Sequence, residues 1–299
     1  MNFEEFTARI ADKLKIRLLE ESDEAEVSVR KLLKNNDVER TAVSIFGEKD
    51  SISPSIYLEP FFDEYEQGKD PDDIVSDILV LIRERSGKNC FSVEDVTNET
   101  NVLGSIIVRL INRDRNKLSL KNVPFIEYND LAIVFRRVIS ITDEGVASTV
   151  VTKSDMKRWG LDEYSLYSLA LKNTERMFPY ICESMESIVS DRYGISFDVK
   201  DRENTDELFV LTNSNMINGA TSLLYDGMLR SCAQMVGGDI YILPSSVHEL
   251  IFISSCCSFS VASLKNMVKE ANTNIVSDMD FLSDNVYLYS MENDTINIA

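Results

Sequence analysis

The stretch DIYILPSSVHELIFIS, residues 239–254, combines residue types that hydrolases use. It contains His248, the only histidine of the chain, three residues after Ser245. A serine hydroxyl becomes a nucleophile when an imidazole accepts its proton and a carboxylate orients that imidazole. Ser245 or Ser246, with His248 as base and Asp239, Asp226 or Glu249 as orienting acid, is therefore a candidate catalytic set.

The same stretch also fits a β-hairpin without catalysis. No G-x-S-x-G motif is present, so the sharp turn that exposes a nucleophilic serine has no sequence signal. Pro244 and the two serines after it are ordinary turn residues, and the apolar run 250–253 is typical of a buried strand. We favour the hairpin with a hydrogen-bonded histidine, and keep a serine hydrolase as the alternative.

Basic residues form the clearest regular pattern in this acidic chain. Arg109, Arg113, Lys117 and Lys121 recur every four residues. On a continuous helix over residues 102–118 and beyond, that spacing places them on one face, where they would bind an anionic group or partner. A solvated face, or pairing with the protein's own carboxylates, is the competing interpretation.

Metal ligands are poorly represented. One histidine cannot supply the usual histidine pairs, and the five cysteines contain no C-x-x-C. The run SDMDFLSD offers Asp278, Asp280 and Asp284, but it lacks the glycine and the distal glutamate of a calcium loop. We predict no metal site and no disulfide framework, and interpret these acids as solvated or capping residues.

Cofactor motifs are equally weak. The Gly-Lys pair in SGKN, residues 86–89, lacks the rest of a phosphate-binding loop, and no G-x-G-x-x-G occurs. FDVKD, with Asp198 and Lys200, is only a fragment of a nuclease-like pattern, and we interpret Cys256 and Cys257 as small buried residues rather than a redox pair. We therefore predict no cofactor.

The formal net charge of −19 limits the possible partners. Affinity for nucleic acid depends on clustered lysine and arginine, so direct nucleic-acid binding is disfavoured. The excess of acidic over basic residues is pronounced from residue 201 onward, with 4 Lys and Arg against 13 Asp and Glu. We expect a non-enzymatic binding or interaction protein whose acidic surface meets another protein, a basic one included. An acidic inhibitor of a nucleic-acid enzyme is a further alternative, and the oligomeric state stays open.

Helix signals alternate with strand signals along the chain. Asn2 with Glu5, and Thr152 with Asp155, have the spacing of capping boxes and predict helix starts. Asp162 predicts another helix start, as do Asp70 and Pro71 together. We also predict a helix over 180–194, a helix begun by Asp226, and strands over 220–225, 239–244 and 248–254.

Hairpin-spaced strands mixed with helices predict an α+β fold with antiparallel sheets, in two closely associated halves, 1–145 and 146–299. The chain has no apolar run of membrane-spanning length, and its start lacks the basic and apolar regions of a signal peptide. We expect a cytoplasmic protein that makes no contact with a membrane.

Several ordered runs resemble a known family, among them ISPSIYLEPFFDEYEQGKDPDDIVSDIL, MKRWGLDEYSLYSLALKNT and LFVLTNSNMINGATSLLYDGML. They resemble DUF5688, a group of uncharacterised bacterial proteins found mostly in Firmicutes, over about residues 4–289. The later part also resembles a second uncharacterised family, DUF1444. The resemblance implies a soluble intracellular protein, and it assigns no chemistry, so no catalytic residue is carried over from it.

Overall fold

The computed structural model describes residues 1–20, 25–47, 53–88, 102–142, 145–193 and 206–299. The chain forms two compact units. The first comprises Met1–Lys34 and Val38–Thr100, and the second comprises Asn35–Asp37 and Asn101–Ala299. The predicted division at residues 145 and 146 falls at the start of a strand inside the second unit.

The first unit packs helices on a small antiparallel sheet. Its elements are α1 (Phe3–Glu20), β1 (Glu26–Leu33), β2 (Glu39–Phe46), β3 (Ile56–Tyr57), α2 (Glu59–Glu66) and α3 (Pro71–Lys88). The described strands pair in the order β1-β2-β3. The core is built from one apolar stripe of α1, one of α3 and the inner face of β2, with Phe6, Ile10, Val43, Ile74 and Ile78 fully buried.

The second unit contains two antiparallel sheets. Its elements are β4 (Ile106–Asn112), β5 (Phe125–Tyr128), β6 (Leu131–Thr142), β7 (Gly145–Val150), α4 (Lys153–Arg158), α5 (Glu163–Met177), β8 (Tyr180–Ser184), α6 (Met185–Tyr193), β9 (Phe209–Asn213), α7 (Met228–Val236), β10 (Ile240–Pro244), β11 (Leu250–Ser254), α8 (Val261–Asn274), β12 (Tyr287–Ser290) and β13 (Thr295–Ile298).

The long strand β6 organises the smaller sheet of this unit, since β4 pairs along one edge while β5 and β7 share the other. Over the described residues the larger sheet has the order β13-β12-β10-β11-β9-β8. Both sheets contribute to one hydrophobic core with α5 and α7, and α8 covers the opposite face of the larger sheet through Leu264 and Val268. Helices packed on antiparallel sheets confirm the predicted α+β class.

Side chains, rather than another strand, close the free edge of β4. The hydroxyl of Thr174 on α5 accepts a hydrogen bond from the Val108 N–H at 2.9 Å, and the hydroxyl of Thr221 accepts from the Leu110 N–H at 3.3 Å. The Asn173 amide donates to the Ile106 carbonyl at 2.9 Å. All three side chains are buried. They supply the partners that a strand edge needs when it is hidden from water.

The local start signals of the helices are confirmed. Asn2 and Glu5 bond reciprocally, at 2.8 and 3.1 Å, and Thr152 with Asp155 forms a capping box at α4. The Asp162 carboxylate accepts from the N–H of Ser165 at 2.7 Å. Each of these contacts joins residues three apart, so no tertiary contact is needed to specify it.

Several element predictions are wrong. Residues 106–112 form β4 rather than the middle of a helix, and 220–225 form a 3₁₀ turn over Gly219–Leu224 rather than a strand. Residues 180–184 form β8, and the helix predicted over 180–194 begins only afterwards. Residues 106–112 are buried on both faces of their strand, so their burial pattern comes from the tertiary fold rather than from one periodic stripe. Gly227, not Asp226, lies at the start of α7.

The contacts at the β4 edge predict that valine and serine at position 174 have different effects on stability. Thr174→Val removes the hydroxyl but keeps the shape, which leaves the Val108 N–H buried and unpaired, so the free energy of unfolding should fall by about 1–3 kcal/mol. Thr174→Ser keeps the hydroxyl and should retain most of the free energy of unfolding. Urea unfolding followed by circular dichroism measures both values.

Thr273→Val on α8 is the matched control, because the Thr273 hydroxyl bonds only to the Lys269 carbonyl on an exposed helix face. Its effect should stay within about 0.5 kcal/mol. Equal losses for Thr174→Val and Thr273→Val would show that the β4 edge does not depend on the buried hydroxyl.

Candidate anion-binding site

The predicted basic stripe does not lie on one helix. Arg109 belongs to β4, while Arg113 follows the strand and forms an ion pair with Glu127 at 2.8 Å. Lys117 forms an ion pair with Asp114 at 3.1 Å. Lys121 belongs to the 3₁₀ turn Ser119–Asn122, where its carbonyl accepts from Lys153. The prediction of one aligned basic face is therefore wrong, because the strand separates Arg109 from the rest.

Arg109 instead has a different basic neighbour, Arg136 on β6. In the β4–β6 register Arg109 lies opposite Val134 and Ile107 lies opposite Arg136. Directly opposed residues of an antiparallel pair share a face, as do residues two apart on one strand. Both arginines therefore project from the same face of the sheet, one pair of positions apart.

The two arginines border a small recess in the second unit. Its volume is about 20 Å³, which is room for about one water-sized group. Besides the two arginines the lining residues are neutral, and the polar ones belong to β7, α5, the end of β9 and the segment after it. These residues are Ser148, Thr174, Asn213, Asn218 and Thr221.

Neither guanidinium is bonded to a carboxylate within the described residues. Arg136 donates to the Ser148 hydroxyl at 2.8 Å and to the Ser148 carbonyl at 2.7 Å. Arg109 makes no side-chain hydrogen bond or ion pair in the described part of the chain, and its Nε is buried without a partner. A buried cationic donor without an acceptor is costly, so the recess offers unsatisfied positive charge.

Burial and charge both act on Arg109. The pKa of Arg109 is lowered to about 10, mainly by burial and also by the positive charge of Arg136, while Asp280 opposes the shift. Burial also lowers the pKa of Arg136. An anion in the recess would stabilise the charged form of both guanidinium groups.

His248 contacts Asn218, which lines this recess, and both of its ring nitrogens have hydrogen-bond partners. Nδ1 accepts from the Asn218 N–H at 3.2 Å, and Nε2 lies 3.1 Å from the Asp280 carboxylate. An acceptor Nδ1 places the proton of the neutral ring on Nε2, which donates to Asp280. The Ser277 hydroxyl donates to the other oxygen of Asp280 at 2.7 Å and fixes that carboxylate.

A tight backbone approach makes the histidine contact possible. Asn218 has φ +54°, in the left-handed region that asparagine tolerates. At Gly219 an added Cβ would lie 2.4 Å from the His248 carbonyl and 2.1 Å from the Thr212 hydroxyl. Only glycine fits there, and this close packing holds Asn218 against both the imidazole and the recess.

The structure does not bring the hydrolase candidates together. The Ser245 hydroxyl donates to Glu249 at 3.3 Å, and the Ser246 hydroxyl accepts from the backbone N–H of His248 at 3.0 Å. Asp239 accepts from the Met291 N–H at 2.8 Å. The carboxylate at the imidazole is Asp280 instead. The predicted hairpin is present, with β10 and β11 paired from Ile240–Ser254 to Pro244–Leu250.

The other sequence candidates lie apart from this site. No group of three His, Cys, Asp or Glu residues suited to a metal occurs among the described residues. Asp278 lies 3.8 Å from Arg115, and Asp284 accepts from Asn272. Cys256 is exposed and Cys257 half-buried, so the interpretation of both as buried residues is wrong. Asn89 of SGKN, with Asp198 and Lys200 of FDVKD, lies outside the described residues.

Sequence reasoning identified Arg109 but missed Arg136 and Asp280 as its neighbours. A local signal for Arg136 was available in LAIVFRRVIS, a strand-like run with two arginines, one of which must face inward if alternate residues share a face. Asp280 carried no comparable signal, because it lies 32 residues from His248 and meets it only through the fold.

Comparison with known proteins assigns the chain to a family without an assigned activity. Residues 3–291 match the family model described as "Family of unknown function (DUF5688)". The chain belongs to this family, which confirms the first predicted resemblance, and the resemblance to DUF1444 is not shown. No curated protein and no solved structure matches the chain. Among the described residues, no helix has both the length and the apolar character needed to cross a membrane.

The contacts of His248 predict one imidazole tautomer. At a pH where the ring is neutral, the untagged protein should show a single pair of ¹⁵N imidazole resonances, with Nδ1 as acceptor and Nε2 protonated, because Asn218 donates to the former and Asp280 accepts from the latter. The assignment is unambiguous because the chain has one histidine.

The same protein unfolded in urea serves as the control and should show the averaged resonances of a free ring. A native ring protonated on Nδ1 would contradict the arrangement, and would leave Nε2 free to act as a base.

Proposed function

We propose that this protein is a non-enzymatic binding module, and that the recess between Arg109 and Arg136 accepts a carboxylate of a partner protein. One observation carries the proposal. Two guanidinium groups face the same recess, and within the described residues neither is bonded to a carboxylate. In a chain with 50 acidic residues, ion pairing would have been easily available.

Guanidinium groups suit a carboxylate because their planar N–H donors match its two oxygens. The volume of about 20 Å³ admits a flat, terminal group more readily than a tetrahedral phosphate. A bound carboxylate would satisfy the Arg109 Nε and offset the repulsion between the two arginines. Binding would therefore stabilise the folded protein as well as the complex.

The net charge of −19 limits which partner surfaces can present that carboxylate. A strongly acidic partner would be repelled at long range, so a surface that is basic overall and presents one carboxylate fits best. We place this interaction in the bacterial cytoplasm, as the sequence predicts. An acidic inhibitor of a nucleic-acid enzyme is one form that such a basic partner would allow.

The hydrolase alternative needs an imidazole nitrogen that can accept a proton from serine. His248 uses Nδ1 toward Asn218 and Nε2 toward Asp280, and its contacts with the serine hydroxyls involve only its backbone. This geometry supports a structural role for the histidine, which braces the wall of the recess.

Titration with acetate tests the proposal. Acetate should shift the Nε–Hε resonances of Arg109 and Arg136 in a saturable manner, because it is the smallest probe with a carboxylate. Arg109→Met should weaken acetate binding at least about 10-fold, the loss expected when a charged hydrogen bond of roughly 1.5–3 kcal/mol is removed.

Arg113→Met is the matched control, since Arg113 is already paired with Glu127; acetate binding should be unchanged in this variant. Inorganic phosphate at the same ionic strength should bind more weakly than acetate. The proposal fails if acetate produces no saturable shift, or if Arg109→Met and Arg113→Met bind acetate equally well.

A further inference from the structure

A second concave site lies entirely within the first unit, between α1 and the sheet formed by β1 and β2. Its volume is about 580 Å³, within the range of roughly 300–1,000 Å³ that is usual for small-molecule sites. The α1 wall includes Thr7, Ala8 and Ala11, and the sheet contributes Val29 of β1. Glu59, at the start of α2, lines the same cleft.

Small side chains explain why this space is open. The buried stripe of α1 runs through Phe6, Ile10 and Leu14 and is directed into the core. The flank of the helix that faces β1 carries Ala8 and Ala11, whose methyl groups leave a gap above the sheet. Val29 is 38% exposed, so apolar surface is accessible on the sheet side too.

Two residues that line the cleft each have a polar atom without a partner in the described part of the chain. The Thr41 N–H donates to Oε1 of Glu59 at 2.6 Å, which fixes the carboxylate, while Oε2 of Glu59 is buried and unpaired among the described residues. The Thr7 hydroxyl is likewise buried without a partner there. Buried polar atoms are normally satisfied, so two in one cleft indicate a missing hydrogen-bonding group.

Some of the other charged residues that line the cleft have partners of their own, and Arg30, which also lines it, donates to the Ser28 hydroxyl. Lys31 lies 2.8 Å from Glu39, and Lys15 lies 3.9 Å from Asp12. Glu59 differs from these residues because one of its oxygens is buried and has no partner within the described residues. The buried part of the site therefore presents one anionic acceptor beside apolar surface.

We propose that this cleft binds a small organic ammonium compound, with its cationic nitrogen at Glu59 and Thr7 and its apolar body against Ala8, Ala11 and Val29. The ammonium group donates a hydrogen bond to Oε2 of Glu59, and a carboxylate is the acceptor that favours a cation over a neutral donor. This site is independent of the arginine recess and takes a ligand of opposite charge.

The experiment compares two probes of equal length on the full chain, n-hexylamine and 1-hexanol, at neutral pH. Dissociation constants are obtained from chemical-shift titrations of the backbone amides. Hexylamine should bind at least 10-fold more tightly than hexanol, with the largest shifts in α1, β1 and the start of α2. Glu59→Gln, which keeps the acceptor for Thr41, should abolish this preference and leave hexanol binding unchanged.

Two further variants make the outcome specific. Ala8→Trp fills the cleft from the exposed side of α1 and should weaken binding of both probes, whereas Glu66→Gln, at an exposed glutamate of α2, should change neither. The proposal is overturned if hexylamine and hexanol bind equally, if Glu59→Gln retains the preference, or if the shifts map to residues outside the cleft.

Discussion

The closure of the β4 edge by buried side chains is the constraint on which the second unit depends. Thr174 and Thr221 receive the backbone N–H groups of Val108 and Leu110. Arg109 lies between those two residues, so the contacts that anchor the strand also fix where its side chain projects. The position of the recess thus follows from how α5 and the 3₁₀ turn replace a neighbouring strand.

The basic residues of the second unit are not all paired with acidic ones. Several basic residues of the unit pair with acidic neighbours, as Arg113 does with Glu127 and Lys117 with Asp114. Arg109 and Arg136 have no carboxylate partner within the described residues, although burial lowers the pKa of both, and an unpaired charge costs more where water is scarce. Unpaired buried charges are retained most readily where a bound ligand pairs with them. The structural pairing of His248 with Asp280 supports the wall of that site without supplying chemistry.

The sequence alone predicted the features that depend on residues close together in the chain. The α+β class, the capping pairs at Asn2 and Thr152, and the hairpin around Ser245 each depend on residues within a few positions of one another. The strand IIVRLIN was mistaken for a helix because its continuous apolar run, buried on both faces, has no strand-specific alternation, and because Arg109 and Arg113 happen to have helical spacing. Arg136 had a local signal in the strand-like run LAIVFRRVIS, whereas the contact of Asp280 with His248 joins residues 32 apart and arises only from the fold.

Anomalous diffraction from crystals soaked in bromide tests whether the recess binds an anion, because bromide is a single-atom anion. We expect an anomalous peak within hydrogen-bonding distance of both the Arg109 and Arg136 guanidinium groups, and its loss in Arg109→Met crystals of the same form. Bromide peaks elsewhere on the surface, with only water between the two arginines, would contradict it.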